Sequence, residues 1–464
     1  MIEEIEYEGI WWLPDKPEKP VSGTLKFTPD EGAILDLNGN FHELHPCKDK
    51  EAKNDGKNLE IYEMDIENLL EHEIMLGRSE NSKNITLYNC WEYELNPVSS
   101  KALYRIDSVF IGAHFQKPGD IKDIKFKFVC IYYAYLDEWR EQCNFDIKNI
   151  EEEKAKVEFE DKTLSLSFFQ KEVEKTQQTW IRINPENSEE ISFEDYRKII
   201  YYIRNFLALG FNRSVYPLAT EVLTRSKNVE SSDLVVNEFF TSISIPTNFI
   251  PLYLNPGPFI SLENKLTFKR FTDFLKNYFK YADILESIYY LYLGELYNPH
   301  MYLENQFLSL IQSLESFHRL TFKGKYVSDN DYDVVKEALI KAIPESVDSD
   351  LKARLKEYFK YGNEFSLRKR LKELFNEYPE FSVIFTKNKN ENKKDFIEKV
   401  VNTRNYLTHY DEELKEYAVF GEDLYLLTQK LRICAGVCLL KKVGFDSEEI
   451  INYFNEFIDY NELL

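Results

Sequence analysis

The stretch Asn402-Thr403-Arg404-Asn405-Tyr406-Leu407-Thr408-His409-Tyr410, NTRNYLTHY, closes the strongest helical pattern near the end of the chain. It couples a permanently charged residue to one that titrates near neutrality. Arg grips phosphate oxygens with a planar fork. His gives or takes a proton at physiological pH. On an ideal helix, positions five apart differ by about 140° in direction and about 7.5 Å along the axis. Arg404 and His409 therefore point to neighbouring faces, and the helix must end or distort for both to reach one phosphate. A helix that stops near Thr408 puts His409 in the last turn, where a cation is favoured.

Working outward from this segment, everything from Met301 onward reads as helix. In MYLENQFLSLIQSLESFHRLTF, Leu303, Phe307, Leu310, Leu314 and Phe317 follow spacings of 4, 3, 4, 3. DYDVVKEALIKAI, SDLKARLKEYFKYG, SLRKRLKELFNEY, KKDFIEKVVNTRNYLTHY and EDLYLLTQKLRICAGVCLLKKVGF follow. Six or so helices joined by short loops predict an all-α bundle over 299–464. YNPH at 297–300 marks the break before it, because Pro299 disfavours helix at the preceding residue.

Upstream the period changes. Residues 1–190 carry short runs rich in aromatic and β-branched residues, among them GTLKFTPDEGAILDLNG, NITLYNCWEYEL, IKFKFVCIYYAYL and KVEFEDKTLSLSFF. Asn38-Gly39 and Pro118-Gly119 are turn dipeptides. Strands this frequent predict a β-rich, sandwich-like domain. Residues 191–298 read as its mainly helical extension. In SFEDYRKIIYYIRNFLALGF, Ser192 is the N-cap candidate with Asp195 three residues later. A mixed stretch follows to about 260, and then TFKRFTDFLKNYFKYADILESIYYLYLGEL reads as helix. The expected fold class is α+β multidomain, with the N-terminal β-rich domain and its extension joined to the C-terminal bundle.

The net charge of −22 excludes a general nucleic-acid binder, which needs a basic face to displace counterions. The charge is uneven. Residues 301–464 hold 24 Lys and Arg against 29 Asp and Glu, so the first 300 carry −17 of the total. Residues 352–404 hold 14 Lys and Arg against 8 Asp and Glu, a sustained basic stretch that runs into the opening motif. Six Cys at 47, 90, 130, 143, 434 and 438 form no CxxC pair and suggest no disulfide framework. The start, MIEEIEYEGIWWLPDKP, is acidic and has no apolar signal core, and no run is long enough to span a bilayer. The expectation is a cytoplasmic protein with no membrane association.

Other candidates compete with plainer readings. His42, His45 and Cys47 in FHELHPC, with Cys90 as a fourth ligand, are set against a surface loop. Glu315 and His318 stand i, i+3 on the first bundle helix, either near the cleft or as a half-buried hydrogen-bonded pair. Cys434 and Cys438, i, i+4 on an apolar helix, read as core. Trp11-Trp12 and the many rings of the first half are read as packing ahead of a recognition surface.

With seven His in the chain, a bare Arg-to-His spacing is expected by chance, so its context carries the weight. RNYLTH resembles the Arg-polar-x-x-x-His signature of HEPN domains, helical dimeric modules that are often metal-independent ribonucleases. ENQFLSLIQSLESFHR (304–319) resembles the first helix of the ApeA-like HEPN group. LYRIDSVFIGAHF (103–115) and YAYLDEW (133–139) are similar to the N-terminal domain that accompanies it in ApeA anti-phage proteins. The resemblance covers most of the chain. It implies abortive-infection defence, in which RNA, with tRNA the foremost substrate, is cut once a phage component is sensed. It implies no cofactor, a homodimer through the helical domain with room for higher oligomers, and Arg404 on phosphate, His409 as acid and base, and Asn405 orienting the pair. One departure is visible. HEPN toxins silenced by a nucleotidyltransferase often carry Tyr two residues after the His, where this chain has Asp411, with Tyr410 one place early. The alternatives are a HEPN scaffold that binds RNA or protein without cutting, and an unrelated helical signalling protein.

Overall fold

The computed structural model describes residues 5–28, 32–41, 45–54, 57–63, 71–96, 101–142, 154–173, 175–187, 189–225, 233–240, 268–298, 300–386 and 391–460. The chain forms two compact units. One takes in the described parts of Met1–Ala208, Val215–Leu252 and Glu263–Thr272; the other takes in those of Leu209–Ser214, Tyr253–Leu262 and Asp273–Leu464.

The first unit is built on strands β1 (Ile5–Trp12), β2 (Val21–Thr28), β3 (Gly32–Leu37), β4 (His45–Asn54), β5 (Lys57–Glu63), β6 (Glu71–Ser79), β7 (Asn84–Asn96), β8 (Lys101–Ile111), β9 (Lys125–Tyr133), β10 (Ala155–Phe159), β11 (Lys162–Val173), β12 (Thr176–Pro185), β13 (Ile191–Ser192), β14 (Pro217–Arg225) and β15 (Asp233–Phe240). The strand-rich expectation holds, and the packing has a specific form. Six strands close on themselves in the order β1-β2-β3-β8-β7-β6 and back to β1, all antiparallel. Closure removes the edges that an open sheet would expose. Trp11, Leu25, Leu35, Met75, Leu87 and Tyr104 lie in the core enclosed by this ring. The Trp11 indole N–H donates to the Gly23 carbonyl at 3.0 Å.

An open wing, ordered β10-β11-β12-β9-β14-β15, joins the ring where β15 pairs with the last residues of β8. The burial of β8 records that junction. From Lys101 to Ile106 exposed or half-buried residues alternate with buried ones; from Asp107 to Ile111 all are buried. Alternation marks one wet face, and continuous burial marks cover on both faces. The cover comes from the long helix that starts at Phe193. Its Phe193 ring meets Tyr88, Phe110 and Phe126, and its Arg197 grips the buried Asp107 carboxylate at 2.8 and 3.3 Å. The Ser192 hydroxyl accepts the Asp195 N–H at 3.1 Å, the N-cap expected there. The mixed stretch after this helix contributes β14 and β15, so the 191–298 segment carries strands besides its helices.

The helices, in chain order, are α1 (Pro118–Lys122), α2 (Leu136–Gln142), α3 (Phe193–Phe211), α4 (Phe268–Ala282), α5 (Glu286–Tyr297), α6 (Leu303–Phe322), α7 (Asp329–Lys341), α8 (Ser349–Tyr361), α9 (Leu367–Glu377), α10 (Lys393–His409), α11 (Glu412–Lys415), α12 (Gly421–Val443) and α13 (Ser447–Tyr460). In the second unit α6 buries Phe307, Leu310, Leu314 and Phe317, the stripe its spacing predicts. Helix α12 is buried along most of its length, Cys434 and Cys438 included. Burial pushes both thiols far above their ordinary range, which suits core residues. The unit reaches back across the 297–300 break, and its buried Glu295 on α5 pairs with Arg432 of α12 at 2.9 Å.

Helices α7 and α8 bury no residue at all, although their sequences are as helical as the rest. Helix α13, beyond the runs that read as helix above, has a legible start. Glu449 N–H donates to the Asp446 carboxylate and Asp446 N–H donates to the Glu449 carboxylate, both at 2.9 Å.

Candidate functional site on helix α10

Asn392 caps α10 by accepting the N–H groups of Lys394 at 2.9 Å and Asp395 at 3.2 Å. The helix then presents Phe396, Ile397, Val400, Thr403, Tyr406 and Leu407 to the interior. Phe396 sits edge-on to Phe375 and Phe385. Thr403 is fully buried, and its hydroxyl oxygen accepts the Val419 N–H at 3.1 Å, tying the chain beyond α11 back onto the helix.

The inner stripe leaves Arg404 and Asn405 half-buried and Thr408 and His409 exposed. Arg404 Nη1 donates to Asn405 Oδ1 at 3.2 Å. The Thr408 hydroxyl donates to the Arg404 carbonyl at 2.7 Å. The helix ends at His409. Tyr410 turns left-handed, with φ 51° and ψ 37°, and its N–H donates to the Tyr406 carbonyl at 2.6 Å. His409 thus occupies the last helical position, one residue later than the stop read at Thr408. Among the described residues no hydrogen bond joins Arg404 to His409. The helix runs unbroken between them, so in one copy of the chain the two residues stand on neighbouring faces, about 140° apart.

The carboxylates that follow are engaged locally. Asp411 caps α11 by accepting the Glu413 N–H at 3.0 Å, and Glu412 pairs with Lys415 at 3.2 Å.

Glu315 and His318 do not pair with each other. Glu315 binds Arg319 at 3.0 Å. His318 is fully buried and reaches α9 instead: Arg370 Nη1 donates to its Nδ1 at 3.0 Å, and its Nε2 stands 2.9 Å from the Glu373 carboxylate. A donor at Nδ1 places the ring proton on Nε2, from which it is given to Glu373. Burial pushes the His318 pKa down, although Glu373 pulls it up. Arg370 is itself fully buried and donates through Nε to the Phe365 carbonyl at 3.0 Å. Arg370 falls within the basic stretch 352–404. Its spacing of three from Leu367 and four from Leu374 was the available sign that it lies on the apolar stripe.

Of the metal candidates, His42 lies outside the described residues, and for His45 and Cys47 only the backbone in β4 is described. Cys90 is fully buried in the barrel core, its thiol pushed up by burial. Among the described residues no group of three or more His, Cys, Asp or Glu could hold a metal ion. Also among them, no helix is long and apolar enough to cross a membrane.

A helical unit with Arg404 and His409 near the end of one helix fits the HEPN class. The Apea-like HEPN family model matches residues 308–449, and ApeA N-terminal domain 1 matches residues 6–288. The chain belongs to the ApeA family. These matches support an anti-phage function of HEPN type, and HEPN domains typically dimerise and act on RNA. Comparison with curated proteins and with solved structures returned no match.

Proposed function

We propose that this protein is an abortive-infection ribonuclease that cuts RNA, tRNA foremost, without metal, in the helical domain 299–464. The β-rich residues 1–190 and the extension 191–298 sense a phage-derived trigger and regulate the cut. The observation that carries the reading is the placement of Arg404, steadied by Asn405, and exposed His409 at the free end of one helix inside the segment matched by the Apea-like HEPN model.

The chemistry follows from the residue types. Arg404 holds a non-bridging phosphate oxygen and offsets the charge that builds on it. An imidazole takes the proton of the RNA 2′-OH, whose oxygen bonds to the adjacent phosphorus. The bond from phosphorus to the 5′ oxygen breaks, and an imidazolium returns a proton to that oxygen. The products are a 2′,3′-cyclic phosphate and a 5′-OH. One His409 cannot stand on both sides of the phosphorus, and in one copy Arg404 and His409 occupy neighbouring faces of α10 with no bond between them. A homodimer with two-fold symmetry brings two of each together and meets both needs. The acidic first 300 residues hold RNA off the basic stretch until the trigger arrives.

The test is RNA cleavage in EDTA by wild type, Arg404→Ala and His409→Ala, with and without lysate of phage-infected cells. Cyclic-phosphate ends, lost in both variants and dependent on lysate, are the expected result. Phage protection that survives both substitutions would instead identify a scaffold that binds without cutting.

A further inference from the structure

The site carries more than its Arg and His. Three large rings stand in solvent within eleven residues of His409: Tyr410 is 68% exposed, Tyr417 58% and Phe420 44%. Apolar surface is left in water against the hydrophobic effect, and a cluster of it marks a contact site.

Two of these rings are held in place. Tyr406, itself buried, meets Tyr410 at 5.6 Å and 63° and Phe420 at 5.3 Å and 85°, both edge-to-face. The Thr403 to Val419 bond fixes the backbone just before Phe420. The rings are therefore preset around one buried hub. Tyr410 also sits where its backbone disfavours a bulky residue. A left-handed helix stop suits Gly, and α12 uses Gly444 at φ 112° for the same purpose. At the end of α10 the chain holds an aromatic residue at φ 51° and then turns its ring outward.

We propose that Tyr410, backed by Tyr406 and Phe420, is a stacking platform for an unpaired nucleobase of single-stranded RNA beside the scissile phosphate. The inference rests on the ribonuclease reading above. Attack by a 2′-OH in line with its own phosphate requires a nucleotide free of helical stacking, and such a base finds its partner on an aromatic face. The cation for the adjoining phosphate is Arg404 on the same helix. The basic stretch 352–404 leads to Arg404, whereas residues 411–423 carry six carboxylates against Lys415, so the phosphate is met from the Arg404 side. Of the nearest carboxylates, Glu412 is offset by Lys415, while Asp411, which caps α11, and Glu413 and Glu416 keep their charge and turn the phosphates away from that side. Stacking tolerates any base, so the platform supplies affinity and positioning, with discrimination by stacking strength alone.

The experiment uses full-length protein with His409→Ala as the uncleaving parent and short fluorescent single-stranded RNA as the probe. An otherwise identical oligonucleotide with one abasic position is the second probe. Tyr410→Gly removes the ring and relieves the backbone, so its folding is not in question. It should bind the intact RNA about tenfold more weakly, the scale of one base–aromatic contact. It should also no longer distinguish intact from abasic RNA, whereas Tyr410→Phe, which keeps the ring, should restore both. A Tyr410→Gly variant that binds as tightly as the parent while Arg404→Ala weakens binding overturns the platform and leaves the ribonuclease reading intact. Unchanged RNA affinity with a smaller assembly by light scattering would also overturn it, assigning the rings to a contact between copies. A parent that binds no RNA either alone or with lysate of phage-infected cells sinks the ribonuclease reading and the platform with it.

Discussion

Arg404 and Asn405 are neighbours in sequence that are also bonded in space, Nη1 donating to Oδ1 at 3.2 Å. Adjacent helical residues do not normally face each other. The long Arg arm has to fold back to reach the amide, which limits the directions its guanidinium can take. Asn405→Ala should leave the fold intact and lower kcat/KM for RNA by about tenfold, a loss typical of misplaced electrostatic stabilisation. Arg404→Lys should not restore activity, since an ammonium lacks the fork. Single-turnover cleavage by the two variants decides the point, and an Asn405→Ala enzyme as fast as wild type would remove Asn405 from the site.

The Thr403 hydroxyl is the anchor for the segment that returns after α11. Thr403→Val keeps the shape and removes the acceptor, leaving the Val419 N–H without its partner. The expected cost is about 1–3 kcal/mol. Urea unfolding measures it, and Thr403→Ser, which keeps the oxygen, should recover most of the loss.

His318 makes the helical unit sensitive to acid. Its pKa is lowered in the fold, first by burial. An unfolded chain binds a proton there near pH 6.5 while the folded one resists it, so the unfolded state holds more protons in that range. Stability is therefore full above about pH 6.5 and declines as the pH falls from there toward the lower folded value. Comparing unfolding midpoints at pH 8 and pH 5 for wild type and His318→Gln tests this. The drop between the two pH values should be smaller in the variant, and an equal drop would place the acid sensitivity elsewhere.

In the barrel, Gly77 and Trp11 share one small space. A Cβ on Gly77 would stand 2.2 Å from Trp11 Cε3, inside any real contact distance. Gly77→Ala should displace the indole and cost about 1–3 kcal/mol by overpacking. Trp fluorescence and the thermal midpoint report it together. Gly119→Ala, where nothing lies within 4 Å, should melt like wild type.

Much of this architecture was legible in the chain. Short aromatic and β-branched runs broken by turn dipeptides marked the strands of the first half, and the 4-3-4-3 stripe of α6 reflects the rule that each helix buries one face. The Ser192 cap was visible because capping is local. Other features depended on residues far apart. Ring closure needs β3 to meet β8 at pairs such as Ala33 and Ile106, and no local pattern encodes which strand will be the neighbour. The β14 and β15 strands were hidden in a mixed stretch for the same reason. Arg370 falls in the basic stretch, and its burial depends on a partner, His318, on another helix.

From the chain alone came the strand-rich and helical halves, the helix that carries Arg404 and His409, and the family resemblance that the domain matches bear out. These follow from periodicity and side-chain chemistry, which act over a few residues. Tertiary structure decided that the strands close into a barrel, that α7 and α8 bury nothing, that His318 answers to Arg370, and that Tyr410 stands beside His409 on a buried aromatic hub. Each of those outcomes depends on which distant surfaces exclude water together, and that is settled only when the whole chain packs.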